Sequence, residues 1–253
     1  MAYLFFDYDG TLIKKDYLPM SEPILEALLN AKKAGHKLFM CTGRCRYMLP
    51  LPPVEFDGFI LSCGTDISVG EQSLVDQRID PEILPEFAKA AKKQNASLVI
   101  EGKEVAVTVF KDLHWPRSPF VETFEEYLEK YGKDPIVNKI SIVGPTVPEF
   151  KELADKYGLD FIDHKNNAEF VTKGFSKATG IELILKHFGA SKADSYGFGD
   201  SMNDYEMISY VGTGIVVANA VDELKQIADY VAPSVHEDGV AYYINNILLD
   251  GDK

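Results

Sequence analysis

Three stretches in the first 64 residues, "YLFFDYDGT", "HKLFMCTGR" and "FDGFILSCG", each hold a short apolar run that ends in polar residues and glycine. Runs this short, and continuous rather than alternating, fit strands buried on both faces. A helix is predicted between the first two. Ser21 stands as its N-cap, Pro23 lies early in it, Ile24, Leu25, Leu28 and Leu29 recur at helical spacing, and Gly35 is a stop. Strand, helix, strand with uninterrupted apolar strands predicts an α/β fold with a parallel sheet covered on both sides. Ligands of such sheets bind beyond the carboxyl ends of the strands. Asp7, Thr42 and Gly43 stand at such ends.

The pattern changes near residue 80. "PEILPEFAKAAKKQ" reads as a helix, "ASLVIEG" and "VAVTVF" as strands, and "SPFVETFEEYLEKYG" as a second helix; "NKISIVG", "EFKELADKYG" and "DFIDHKNNAEFVT" then repeat strand, helix, strand. From about residue 172 the first style returns with helix "SKATGIELILKHFG", strand "SYGFGD", helix "SMNDYEMISYV" and strand "TGIVVA". The economical arrangement is one core domain, residues 1–79 and 172–253, interrupted by an inserted α/β domain, residues 80–171.

Charge narrows the partners. Lys and Arg number 26 against 39 Asp and Glu, a formal net charge of −13. Such a field repels a nucleic acid backbone or an anionic membrane, so neither is an expected partner. A small anion binds only where local cations reverse the field. Cys41, Cys45 and Cys63 are odd in number and lack Cys-x-x-Cys spacing, which speaks against a disulfide framework and a thiolate metal site. No apolar run approaches a membrane span, and the N-terminus lacks a signal-peptide pattern, so a cytoplasmic location is expected.

Two acid clusters carry the chemistry. Asp7 and Asp9 lie two apart in an extended segment and project the same way. Asp200 ends the strand "SYGFG", and Asp204 lies four residues on with Asn203 between; read as one helix, that spacing puts both acids on one face. Carboxylates converging on one sheet edge do not all stay ionised without a counter-charge. A hard divalent cation answers this, and an oxygen-only donor set suits Mg²⁺ together with substrate phosphate oxygens. Thr42, the backbone N–H groups around Gly10 and Gly43, and Lys177 in "GFSKATG" are the matching phosphate binders.

Taken in order, "DYDGT", "CTGR", "SKATG" and "GDSMND" resemble the four motifs of the haloacid dehalogenase superfamily, most closely its Cof-type, subfamily IIB, sugar-phosphatase-like branch. "AEFVTKGFSKATGIELIL" and "DYVAPSVHEDGVAYYI" extend the likeness. The resemblance implies a Rossmann-like core with an inserted cap that folds over the phosphate site and contacts the leaving group. It also implies a Mg²⁺-dependent phosphatase of small phosphorylated metabolites. Asp7 is then the nucleophile that forms an aspartyl-phosphate, and Asp9 the general acid and later base. Mg²⁺ lies between the Asp7 carboxylate, the Asp9 backbone carbonyl and the Asp200 carboxylate. Thr42, Gly43, Lys177 and Asn203 hold phosphoryl oxygens, and Asp204 orients metal waters or Lys177.

Asp9 separates this chain from the dehalogenases and the P-type ATPases of the superfamily, which lack an acid two positions after the nucleophile. Two alternatives stay open in the sequence: a phosphomutase of the same architecture, and a binding protein without turnover. In the insert, His114, Trp115 and Arg117 of "DLHWPRSP" read better as a loop anchor than as a sugar-stacking group.

Overall fold

The computed structural model describes residues 1–14, 19–115, 117–132 and 134–250. The chain divides into two compact units. Met1–Gly43, Leu51–Leu74 and Ser176–Lys253 form the first, and Arg44–Pro50 with Val75–Phe175 form the second.

The N-terminal part of the first unit supplies β1 (Tyr3–Phe6), α1 (Glu22–Lys33), β2 (Lys37–Cys41), β3 (Gly58–Leu61) and β4 (Asp66–Val69), and β5 (Gln72–Asp76) begins in this unit and ends at the start of the second. Helix α1 starts where the sequence places it. Ser21 Oγ accepts from Ile24 N at 3.4 Å, Pro23 lies in the first turn, and Ile24, Ala27, Leu28 and Ala31 form the buried face. A serine cap of this kind contributes about 1 kcal/mol. Ser21 also donates to Asp238 Oδ1 at 2.6 Å, which ties the helix start to the C-terminal part of the unit.

The second unit supplies α2 (Leu84–Lys93), β6 (Ser97–Glu101), β7 (Ala106–Val109), β8 (Phe120–Val121), α3 (Phe124–Tyr131), β9 (Lys139–Val143), α4 (Pro148–Tyr157), β10 (Leu159–Asp163) and β11 (Asn167–Thr172). The chain then returns to the first unit with α5 (Lys177–Phe188), β12 (Ser195–Gly199), α6 (Tyr205–Tyr210), β13 (Thr213–Val217), α7 (Asp222–Lys225), β14 (Tyr230–Ala232) and α8 (Gly239–Tyr243).

One sheet runs β14-β13-β12-β1-β2-β3-β4-β5. From β14 to β3 every pairing is parallel. The antiparallel return of β4 on β3 makes the sheet mixed at that edge, a hairpin the sequence reading did not contain. Strand β1 lies in the middle, with Phe6 in register with Phe198 of β12 on one side and Met40 of β2 on the other. All four residues of β1 are buried, as a continuous apolar strand requires. Phe6 stacks on Phe198 with ring centroids 4.7 Å apart, and Phe5 on Phe39 at 4.8 Å. This register fixes the heights of the three strand ends that matter.

The second unit's sheet runs β10-β11-β9-β6-β7-β8 and is mostly antiparallel. Leu98, Ile100, Ile140, Ile142, Ala168 and Phe170 share a core with residues of α2, α3 and α4. "DFIDHKNNAEFVT" is a hairpin, not one strand, because Lys165 adopts φ 71° and turns the chain between β10 and β11. In "SPFVETFEEYLEKYG" the helix begins only after Thr123, whose side chain caps Glu126 N, and the residues before it form β8. Trp115 packs on the cluster of Cys45, Met48 and Ala106, and Arg117 Nε donates to the Tyr47 carbonyl at 2.9 Å. The loop anchor expected of Trp115 and Arg117 is therefore real, and what they anchor is the segment Arg44–Pro50.

Alternate positions of the same sheet carry charge. Lys139 Nζ donates to Glu169 Oε1 at 2.6 Å and stands 3.3 Å from Glu101 Oε1, while Ser141 Oγ donates to Glu101 Oε1 at 2.6 Å. Glu101 and Lys139 are register partners, as are Ser141 and Glu169, so the pleat brings the four together. Burial acts to raise the Glu169 carboxyl, but Lys139 and His164 outweigh it and hold the group well below the usual range. A depressed folded-state value means that the stabilisation is complete above the unfolded value. It is lost as pH falls below about 4.5. Glu169→Gln is expected to cost about 1–3 kcal/mol at pH 7 and to flatten the acid limb of stability below pH 4.5. Urea melts at pH 7 and pH 4 check this, and an unchanged acid limb refutes it.

Candidate active site

The carboxyl ends of β1, β2 and β12 meet at the middle of the first unit's sheet. Asp7 is the first residue past β1, and its N–H continues the ladder to the Phe198 carbonyl at 2.8 Å. Asp200 is the first residue past β12. Thr42 follows β2 and is buried, with its N–H bonded to the Ile60 carbonyl at 2.9 Å, and Gly43 comes next, half-buried. Directly after Asp7 the chain turns back, with Leu12 N and Ile13 N both donating to the Tyr8 carbonyl and Gly10 N to the Ile13 carbonyl. Asp9 rides half-buried on this turn.

Lys177 opens α5, behind the N-cap Ser176. It is no surface lysine: it is 2% exposed and lies between two acids. Its Nζ donates to Asp7 Oδ1 at 2.7 Å and to Asp204 Oδ1 at 2.5 Å, with Asn203 Oδ1 at 3.4 Å. Burial alone would lower the ammonium, yet Asp204 and Asp7 outweigh it and hold Lys177 well above its usual value. Asp7 is pushed well above the carboxylate range. Burial is the main cause, Lys177 opposes it, and the like charges of Asp204 and Asp200 reinforce it.

Asp204 reaches the site by a route different from the helical spacing first expected. Residues Met202–Asp204 form a single 3₁₀ turn, and the α-helix begins only at Tyr205. Asp204 Oδ2 turns back to accept from Asp200 N at 3.0 Å and Ser201 N at 3.1 Å. Ser201 and Asp204 thus make a capping box, a Ser-x-x-Asp signature that the sequence displayed and the reading overlooked. Ser201 Oγ also lies 2.8 Å from Asn203 Oδ1. With one oxygen on Lys177 and the other on two backbone N–H groups, Asp204 is fully engaged.

Asp7, Asp200 and Asp204 each offer a carboxylate oxygen, and these oxygens lie within 4.8 Å of one another. The Asp9 carboxylate is not one of the three. The like charges of Asp204 and Asp200 work against ionisation of Asp7, and a divalent cation would relieve that repulsion. Two glycines make the room. A β-carbon on Gly10, which has φ 84°, would collide with the Asp200 carboxylate, and one on Gly199 would stand 2.6 Å from Asp204 Cγ. The donor set and the cradle therefore fit a small oxygen-seeking cation. Gly10→Ala is expected to displace Asp200, to lower Mg²⁺ affinity at least about 10-fold, and to cost about 1–2 kcal/mol for the left-handed backbone. Metal titration and thermal melting read the two effects, and a variant unchanged in both would show that the cradle does not matter.

Asn219, one further residue the sequence reading missed, lies just past the end of β13. Its Nδ2 donates to the Gly10 carbonyl at 2.9 Å and its Oδ1 accepts from Val235 N at 2.8 Å. The signal was available: "GIVVAN" is another apolar run that ends in a polar side chain.

Acids at adjacent strand ends, a buried lysine from a helix start and an acid-bearing turn form a candidate site at the carboxyl edge of an α/β sheet. Residues 4–244 match the family model of the haloacid dehalogenase-like hydrolases, and the chain belongs to that family. It is 29% identical over 263 residues to the HMP-PP phosphatase of Yersinia enterocolitica, covering 96% of this chain and 94% of the relative. It is 26% identical over 262 residues to the 5-amino-6-(5-phospho-D-ribitylamino)uracil phosphatase YitU of Bacillus subtilis, covering 94% of each. Among solved structures, the HAD subclass IIB sugar phosphatase BT4131 superposes with a TM-score of 0.83 at 25% identity, over 98% of this chain and 100% of the other. Among the described residues no helix is long and apolar enough to cross a membrane.

Proposed function

We propose that this hydrolase is a cytoplasmic, Mg²⁺-dependent phosphatase of small phosphorylated metabolites such as sugar phosphates, working through an aspartyl-phosphate on Asp7. One observation carries the reading: the Asp7 carboxylate is gripped by Lys177 at 2.7 Å and grouped with Asp200 at the centre of the sheet edge. That both named phosphatase relatives and the sugar phosphatase align over nearly the whole chain supports the reaction class.

In this reading the Asp7 carboxylate oxygen attacks phosphorus as the bond to the leaving oxygen breaks, and Asp9 gives that oxygen its proton. Asp9 then takes a proton from water, which attacks the aspartyl-phosphate, frees inorganic phosphate and restores the Asp7 carboxylate. Lys177, Thr42, the N–H of Gly43 and the Asn203 amide hold phosphoryl oxygens, while Asp204 keeps Lys177 charged and aimed. The Asp7 and Asp200 carboxylates and the Asp9 carbonyl would hold Mg²⁺, which would supply the positive charge that lets one anion approach another. The second unit serves as the cap that selects the leaving group.

A panel of phosphorylated metabolites, scored for inorganic phosphate with Mg²⁺ and with chelator, tests this. Metal-dependent release from at least one monoester is expected. Phosphate shuttled within a bisphosphorylated sugar, with none set free, would favour a mutase, and inertness across the panel a binding protein. Asp9→Asn is expected to lower kcat about 10²–10⁴-fold, least for substrates with acidic leaving groups. An equal loss on p-nitrophenyl phosphate and on a sugar phosphate would refute its role as the acid.

A further inference from the structure

The turn that carries Asp7 and Asp9 and the turn that carries Asp200 come from opposite ends of the chain, and the ladder between their strands ends with the bond from Asp7 N to the Phe198 carbonyl. Beyond that register something else must set the spacing. The segment that follows β13 does so on both sides. Asn219 Nδ2 donates to the Gly10 carbonyl at 2.9 Å, and Val221 N, two residues on, donates to the Asp200 carbonyl at 3.0 Å. The segment is itself held: Ala220 N bonds the Val217 carbonyl at 2.8 Å, and Asn219 Oδ1 accepts from Val235 N at 2.8 Å. A carbonyl facing one end of the amide and an N–H facing the other leave only one orientation for it.

The tolerance between the two turns is small, because a single β-carbon on Gly10 would strike the Asp200 carboxylate. A shift of the Gly10 turn by a fraction of an ångström therefore changes the distance from Asp200 to Asp7 and to the Asp9 carbonyl. Asn219 is exposed, so its side chain fills no core, and its two bonds are what it contributes.

We propose that Asn219 is a positioning residue for the cation-holding oxygens: through the Gly10 carbonyl it sets the spacing between the Asp7–Gly10 turn and Asp200. This rests on the metal reading of the site given above. It makes Asn219 a determinant of metal affinity and leaves chemistry at saturating metal nearly untouched.

The test is calorimetric titration of Mg²⁺ into metal-free wild type, Asn219→Ala and Asn219→Leu, the last close to Asn in size but without hydrogen bonds. Partners that orient metal ligands typically control affinity 10- to 100-fold. Both variants are expected to bind Mg²⁺ about 10-fold more weakly, with kcat at saturating Mg²⁺ within about 2-fold of wild type and the concentration for half-activation raised in proportion to the dissociation constant. Unchanged Mg²⁺ affinity in either folded variant overturns the proposal. So does a loss confined to kcat with affinity intact, which would give Asn219 a part in turnover instead. If wild type itself binds no Mg²⁺, the metal reading fails and this inference with it, an outcome distinct from wild type and variants binding alike.

Discussion

Asp7→Asn is expected to abolish measurable phosphate release, a loss on the order of 10⁴-fold or more, in keeping with the removal of a nucleophile in other covalent mechanisms. The same change is expected to make the metal-free protein more stable. The raised Asp7 value means that the folded state favours the neutral group; burial and the neighbouring acids outweigh Lys177. Stability linked to such a group is complete below its unfolded value and declines as pH rises through the folded one, so at neutral pH an uncharged Asn removes a cost. The gain would show as a higher melting temperature of the metal-free variant. Mg²⁺ should reverse the order, because it stabilises the wild type by binding and the variant much less. Melting curves with metal and with chelator, beside a phosphate assay, read all of this. Turnover at the wild-type rate would remove Asp7 from the mechanism, and a less stable metal-free variant would contradict the electrostatic account.

Lys177→Met keeps most of the volume and removes the ammonium that pairs with both Asp7 and Asp204. Asp7 and Asp204, 4% and 0% exposed, then lose their shared counter-charge, and Asp204 keeps its two backbone N–H donors. Breaking a buried pair from one side typically costs about 3–5 kcal/mol. For a chain of this size that is a fall in melting temperature on the order of 10 °C. Adding Asp204→Asn should return part of the loss, because the second change removes one of the stranded charges. Urea unfolding of both single variants and the double variant closes the cycle. Additive losses would show that Lys177 and Asp204 do not act as a pair, despite the 2.5 Å between them. Lys177→Met should also leave Mg²⁺ unable to restore turnover, since the phosphoryl oxygens lose their charged donor.

Local chemistry was legible where it depends on neighbours in the chain. The cap at Ser21, the apolar β1 ending at Asp7, and the helix opening at Lys177 all follow from residues a few positions apart. Reading failed where a short segment had a second local option. "SMNDYEM" has helical spacing, but the Ser201–Asp204 capping box turns its start into a 3₁₀ turn, and this aims Asp204 back at the Asp200 backbone. "DFIDHKNNAEFVT" carries a turn signal at its centre in Asp163, Asn166 and Asn167, which the reading as one strand passed over, and the chain turns there at the left-handed Lys165.

By itself, then, the sequence determined that strands of an α/β sheet end in Asp7, Thr42 and Asp200, and that the acids outnumber nearby cations. Strand order is a matter of long-range packing, and no local pattern contains it. The tertiary structure decided that β1 lies between β12 and β2, that Lys177 is buried among the acids instead of solvated, and that Arg44–Pro50 packs with the second unit through Cys45, Met48 and Ala106. It also decided that Asn219, remote in sequence, holds the Gly10 carbonyl. The physical reason is common to all four: each is a contact whose partners are chosen by burial and register, and these exist only once the sheet has closed.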